Sequence, residues 1–376
     1  MDTALQHLTD QINTAAAQRT PLRIRGGGSK DFYGEAPQGE LLDTKAYHGI
    51  LSYEPSELVV TVRAGTPLAE LEAALAEKGQ CLAFEPPRFG NLSGTCGGMV
   101  AAGLSGPARA SVGGVRDYVL GVQLINGRGE HLTFGGQVMK NVAGYDVSRL
   151  MVGALGTLGL LTEISLKVLP VAPAEATLVF DLDQASALAQ LHRWGAQPLP
   201  LNASCWVRDD TAANAPELLF VRLRGAIAAV ESACTKMLAE VPGRRLDNAQ
   251  AGPDWSACRD LKLPFFTAVS PEPTALWRLS LPPTAPVLDL PWPQLVEWHG
   301  GQRWLRAPES AREPLCQAAS AVGGSAGLFM AASDAATTAK NGFAPLTPAV
   351  EQIHRRLKAE FDPAGIFNPG RMYADI

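Results

Sequence analysis

The chain has 376 residues, enough for two or three domains and a sizeable core. Apolar residues make up 46% and charged residues 18%, an ordinary globular composition, and the net charge of −5 argues against a general nucleic-acid binder. No run approaches the roughly 20 apolar residues of a membrane-spanning helix; the best candidate, LMVGALGTLGLL from Leu150, is short and broken by glycine. The N-terminal MDTALQHLTDQINTAAAQ has a polar helix pattern, without the basic start and apolar run of a signal peptide, so a cytoplasmic chain is expected.

Two composition shifts divide the chain. Of its 37 glycines, 25 precede residue 170, whereas all seven tryptophans lie between Trp194 and Trp304. A first part built on close backbone approach and a second with bulkier packing are expected, joined near LPVAPAEA, Leu169 to Ala176. In chain order, PLRIRG and LVVTVRAG read as strands. TPLAELEAALAEKG reads as a helix with Thr66 at its N-cap, Pro67 in its first turn and Gly79 after its end. DYVLGVQLINGRGEHLTFGG reads as a hairpin about an Asn-Gly turn, and GLLTEISLKVLP as a further strand. The second part runs strand, helix, strand, strand, helix from TLVFDL to AAVESACTKMLAEV, the order of a ferredoxin-like unit. ALWRLSL, LVEWHGG, QRWLRA and GLFMAA extend it as strands, and AVEQIHRRLKAEF is an amphipathic helix before a turn-rich end. LDLPWPQLVEW is either core or a partner surface, with core favoured.

Cys81, Cys96, Cys205, Cys234, Cys258 and Cys316 are scattered, with no C-x-x-C pair, and the six histidines are isolated. Metal and iron–sulfur centres need clustered ligands, so neither is expected and the thiols read as small buried hydrophobes.

The informative stretch is RIRGGGSKDFYG, from Arg23 to Gly34. Consecutive glycines let backbone N–H groups converge on an anion, and Arg23 or Arg25 adds charge. The spacing is neither that of a P-loop nor of a Rossmann turn. A second glycine-rich stretch, FEPPRFGNLSGTCGGMVAAGLSGPARASVGGVRD, runs from Phe84 to Asp117. Loops this long inside patterned sequence are functional. Two anion loops in one domain imply an extended ligand such as a dinucleotide.

Together with KNVAGYD and GALGTLGLLTEISLKVLP, these motifs resemble the FAD-binding domain of the vanillyl-alcohol oxidase and p-cresol methylhydroxylase (PCMH-type) superfamily, over residues 1–173. The resemblance implies an α+β fold: a two-subdomain FAD-binding domain, a smaller α+β, ferredoxin-like cap over residues 174–340, and a C-terminal helix and tail, 341–376, returning to the FAD domain. It assigns FAD to Arg25, Gly26, Gly27, Gly28, Ser29 and Lys30 in the first loop. In the second it assigns Pro86, Pro87, Ser93, Gly94, Thr95, Gly97, Gly98, Gly103, Ser105 and Gly106. Gly159 and Leu160 of GTLGLLT bring backbone near the flavin or adenine. Asn368 of the NPG turn either returns to the flavin edge or only caps the fold. The first loop reads GGGSK, without the histidine or cysteine that attaches flavin in many members, so the FAD is expected to be non-covalent.

Within the superfamily, KNVAGYD and NPGRM are similar to motifs of the FAD-linked 2-hydroxyacid dehydrogenases. The short N-terminus and cap resemble the family of E subunits of bacterial glycolate oxidase. That implies glycolate or another small 2-hydroxy acid as substrate, a second, larger FAD subunit and an iron–sulfur subunit as partners, and contact with the inner face of the membrane through them. Two further departures matter. Leu155 stands where the superfamily has an acid in G-S-E-G-T-L-G, and the metal-binding histidine cluster of catalytic members is missing. Oxidising a 2-hydroxy acid needs a base for the hydroxyl proton and a clamp for the carboxylate. Here the base would be His299, unless that residue only packs beside Trp298, with Arg278, Arg303 or Arg306 as the clamp. Lys140 and Tyr145 are expected to order the flavin domain. Three functions remain open: an electron-relaying or supporting subunit of a glycolate oxidase complex, a stand-alone FAD-dependent 2-hydroxyacid dehydrogenase, and a structural subunit whose flavin is redox-silent.

Overall fold

The computed structural model describes residues 2–90, 93–136, 146–209, 215–267, 273–332 and 342–374. Lys140 and Tyr145 lie outside the described residues. The chain divides into two compact units.

The first unit comprises the described parts of 1–104, 114–170 and 336–376, and has two cores. Helix Thr3–Gln18 starts where the Asp2 side chain accepts from Ala4 N at 2.9 Å and stops at Arg19, whose φ of 54° is left-handed. Its Leu5, Leu8, Ile12 and Ala15, spaced along one helical face, pack with Leu22, Leu42, Ile366 and Phe367. Strand Leu22–Arg25 pairs in parallel with Glu40–Asp43, and Leu22 bridges to Phe367 near the C-terminus. The second core lies on an antiparallel sheet in the order Ile50–Glu54, Val59–Arg63, Leu160–Lys167, Val119–Ile125, His131–Gly135. Helices Leu68–Ala76 and Cys96–Ala102 pack on it. The parallel pair and the five-stranded antiparallel sheet, each with its own core, make the two-subdomain α+β arrangement, and a short antiparallel pair joins Gln80–Cys81 to Leu169–Pro170.

Local expectations fail at two points here. Thr66 does not cap helix Leu68–Ala76. Its hydroxyl is committed to Gly49, accepting from the N–H at 2.9 Å and donating to the carbonyl at 3.1 Å, and the helix begins after Pro67. The Asn-Gly hairpin closes through residues 126–130, not through a two-residue turn. Asn126 is buried, and its Oδ1 accepts from Arg128 N and Glu130 N, adding to the backbone bonds from Gly129 N to Asn126 O and from Asn126 N to Glu130 O. The left-handed residue is Gly129; Gly127 instead donates its N–H to Phe361 O at 2.8 Å.

The second unit comprises residues 105–113 and the described parts of 171–335. Strands Ala174–Asp181, Leu201–Arg208, Glu217–Gly225 and Gly243–Leu246 alternate with helices Gln184–Gly195 and Ile227–Glu240 as βαββαβ. The strands lie in the spatial order fourth, first, third, second, as in a ferredoxin-like sheet. Gln294–Glu297, Gln302–Ala307, Ala275–Ser280 and Ser325–Met330 extend it to eight strands. Ala176, Leu178 and Phe180, alternating along one strand, face Leu188, Leu191, Trp194 and Met237 of the two helices. LDLPWPQLVEW is mostly core: Leu288, Leu295 and Val296 are buried, and Leu290 and Trp292 pack partly against the same interior. Helix Asn248–Arg259 is not evident in the sequence because Gly252-Pro253 interrupts it, yet Ala251, Trp255 and Cys258 still bury one face. Ser105–Gly113 belongs to this unit, not to the first as the linear boundary implied.

Candidate FAD-binding site

The glycine loop follows strand Leu22–Arg25, and its tightness comes from the second loop. A Cβ at Gly26 would lie 2.2 Å from Thr95 Oγ1, and one at Gly27 only 1.3 Å from the Ser93 carbonyl oxygen. The two loops therefore meet backbone to backbone, which only glycine permits. Thr95 caps helix Cys96–Ala102, its hydroxyl accepting from Gly98 N at 3.2 Å.

Two neighbouring cavities lie beside this junction and share Ile24, Gly26, Gly98, Ala101, Leu155 and Asn368 in their walls. One is cationic. Arg23, Arg25, Gly26, Gly27, Gly28, Ser29, Lys30, Thr95 and Arg371 line it, with Asp31 as its one acid among the described residues. Arg25 Nε pairs with Asp31 Oδ2 at 2.8 Å across a half-exposed surface, a contact worth at most about 1 kcal/mol. The other cavity has no charged side chain among the described residues of its wall: Thr44, Ala64, Gly97, Met151, Ala154, Gly156, Leu158, Gly159, Leu160 and Leu161 complete it. A cationic nest beside an apolar slot suits a molecule with a pyrophosphate and flat rings.

Not every expected residue reaches these walls. Ser93 and Gly94 press on the first loop from behind, and Gly103 packs on Gly153. Pro86 and Pro87 are buried, Pro87 beside Leu68 and Gly94. Ser105 and Gly106 fold with the second unit. Asn368 lines both cavities, but its amide is already used: Oδ1 accepts from Ile24 N at 2.8 Å, and Nδ2 donates to Leu155 O at 2.6 Å. It ties the C-terminal turn to the first strand and to the Leu155 bend, where Leu155 has a left-handed φ of 51°. Sequence reasoning missed Arg371 and Ala101. Arg371 stands three residues after Asn368 inside NPGRM, so the motif held the signal.

The candidates for chemistry lie in the second unit. Trp298 and His299 form a corner of two consecutive left-handed residues, with φ of 54° and 55°. Such a corner stands only if its surroundings enforce it. Here Trp298 Nε1 donates to Gly106 O at 3.0 Å, and the Arg109 guanidinium covers its ring at 4.5 Å. The His299 backbone N–H donates to Ser204 Oγ, and its Nδ1 and Nε2 lie 3.0 Å from the hydroxyls of Ser204 and Ser111. Burial lowers its pKa to about 4, so the ring is neutral at pH 7 with both nitrogens engaged.

Arg303 is fully buried, and both ends of its fork donate to backbone, to Pro286 O at 2.7 Å and Ala285 O at 2.8 Å. Burial lowers its pKa to about 10. Strand pairing sets Arg278 opposite Trp304 and Leu279 opposite Arg303, so Arg278 and Arg303 occupy opposite faces of the sheet. Arg278 lies over the Phe329 ring. Arg306 stands in the wall of a cavity of about 680 Å³, beside Trp255, Phe265 and Trp292, and donates to Thr274 Oγ1 at 3.1 Å. Ser204 pairs with Val221 and shares the helix-covered face, so His299 is sequestered there, away from Arg278 and Arg306.

The corner has a measurable pH signature. The folded pKa of His299 is below the unfolded value, so the unfolded chain binds more protons between pH 6.5 and 4 and stability falls as pH drops through that window. From pH 7.5 to pH 4.5 this group is expected to remove about 2–3 kcal/mol. Urea unfolding at the two pH values should show that extra loss in the native chain and not in His299→Gln. Equal losses in both would mean that His299 is not held neutral by its burial.

Comparison with known proteins agrees with this geometry. The FAD binding domain family matches residues 3–135. Over 371 residues, 99% of this chain and 98% of the other, the sequence is 44% identical to glycolate oxidase subunit GlcE of Escherichia coli strain K12. The chain belongs to the GlcE family. FAD is its cofactor. It is also 32% identical over 189 residues to glycolate oxidase subunit GlcD of Bacillus subtilis strain 168, a match that spans 48% of this chain and 40% of that one. Among solved structures, p-cresol methylhydroxylase with substrate bound superposes with a TM-score of 0.71 at 14% identity, covering 99% of this chain and 87% of that one. The 4-ethylphenol oxidase of Gulosibacter chungangensis superposes at 0.70 with 13% identity, covering 99% of this chain and 88% of that one. Those likenesses establish the PCMH-type fold.

The residues fit FAD. Gly26 and Gly27 let the two loops close on each other beside the cationic cavity, and Arg23 Nε and Arg371 Nη1, in its wall, are buried without a hydrogen-bond partner among the described residues. When bound, the flavin supplies the capacity to accept and pass on electrons.

Proposed function

We propose that this chain is the FAD-binding subunit of a glycolate oxidase complex, an oxidoreductase that converts glycolate to glyoxylate. The observation that carries the reading is the full-length kinship to a protein named as a glycolate oxidase subunit. A second, larger flavin subunit would take hydride from glycolate, and an iron–sulfur subunit would receive the electrons. The complex would work in the cytoplasm, at the inner face of the membrane through its partners.

The arrangement of the second unit supports a relaying or supporting role. Substrate oxidation needs a base and a carboxylate clamp at one place. His299 has both nitrogens engaged, Arg303 has its fork filled by carbonyls, and Arg278 and Arg306 are on the other face. The test is an anaerobic visible spectrum of the FAD-loaded chain alone, before and after glycolate. The expected outcome is no bleaching with glycolate and full bleaching with dithionite. Bleaching by glycolate would replace this reading with a stand-alone dehydrogenase, and the search for its base and clamp would start from the Arg306 cavity.

A further inference from the structure

The NPGRM turn carries Arg371 into the first unit, where its side chain is almost fully buried. Nη2 donates to the carbonyl oxygens of Lys30, at 3.2 Å, and Asp31, at 3.1 Å, at the end of the glycine loop. The Arg371 carbonyl in turn accepts from Glu35 N at 3.0 Å. Half of the guanidinium therefore staples the C-terminal turn to the glycine loop. Nη1 is buried without a hydrogen-bond partner, and no carboxylate forms an ion pair with Arg371, among the described residues. Asp31, the acid of that cavity, is taken by Arg25.

A buried cationic N–H without an acceptor is costly, and a bound group that supplies the acceptor removes that cost. The two cavities indicate which part of the ligand does so. Asn368 lines both, whereas Arg371 lines only the cationic one, with Arg23, Arg25, Lys30 and the three glycines. The apolar cavity does not include it.

We propose that Arg371 Nη1 donates to a phosphate oxygen of the FAD pyrophosphate, so that the C-terminal turn forms one wall of the phosphate site. The proposal rests on reading this site as an FAD site. It makes Arg371 a binding residue, and it couples retention of FAD to docking of the tail.

The test uses the full-length apo chain, titrated with FAD and separately with ADP, which carries a pyrophosphate but no flavin. Arg371→Gln is expected to weaken both by the same factor, about ten- to hundred-fold, the range of one charge-assisted hydrogen bond. FAD affinity within about two-fold of the native chain's would overturn the assignment. So would a loss for FAD without a matching loss for ADP. Should Arg371→Gln not fold, the native chain supplies the second measurement: ADP is expected to slow carboxypeptidase trimming of the C-terminus, and unchanged trimming would equally overturn the proposal. A native chain that binds no FAD would remove the site reading itself, whereas FAD binding indifferent to Arg371 would remove only this inference.

Discussion

Gly27→Asp is expected to yield a chain that purifies without flavin. A Cβ at this position would stand 1.3 Å from the Ser93 carbonyl oxygen and 2.4 Å from its carbon, both backbone atoms that cannot rotate away. The two loops would have to separate, at a cost of about 1–3 kcal/mol. The added carboxylate would also put a negative charge beside a site whose cationic side chains, Arg23, Arg25, Lys30 and Arg371, suit a pyrophosphate. Gly27→Ala separates the two effects, because it introduces the crowding without the charge. We expect flavin occupancy to fall partly for alanine and below about one tenth of the native level for aspartate, read from the ratio of visible to ultraviolet absorbance. Native occupancy in Gly27→Asp would show that the loop junction does not hold the cofactor.

The largest effect on stability is expected at Asp362. Its carboxylate is buried, and Oδ2 meets Lys358 Nζ at 2.8 Å one helical turn earlier. Oδ1 accepts from Ile366 N and Oδ2 from Phe367 N, while Lys358 Nζ also donates to Thr157 O and Phe367 O. This cluster docks the residues that lead to Asn368 and Arg371. Asp362→Ala would leave a buried ammonium without its counter-charge and two N–H groups without acceptors. A loss of about 3–5 kcal/mol is expected, measured by urea unfolding. Pairing it with Lys358→Met removes the stranded charge, so the double variant should recover part of that loss. A single variant as stable as the native chain would show that the tail docks without this pair. Flavin retention should fall together with stability, because Asn368 and Arg371 depend on the same tail.

Much of the fold was legible in the chain itself. Alternating and 3.6-residue apolar patterns mark the strands and helices of both units, because burial of one face is a local requirement that each segment must meet. The elements that escaped had a competing local signal. Pro253 concealed helix Asn248–Arg259, and Thr66 resembled a cap although its hydroxyl was needed by Gly49. The cofactor loops were legible for a similar reason: a glycine run records close backbone approach in composition alone.

What the sequence determined by itself is therefore a two-part α+β chain with paired anion loops, and through them an FAD-binding protein. Only the tertiary structure decided which residues meet. It pressed Gly27 against Ser93, spent the Asn368 amide on two backbone groups, and set His299 and Arg278 on different faces of one sheet. It also brought Arg371 from the far end of the chain to the glycine loop and left one of its nitrogens without an acceptor among the described residues. The physical reason is that hydrogen-bond satisfaction is settled between segments distant in sequence. A motif can name the donors, but only the packed chain shows which donors remain unspent.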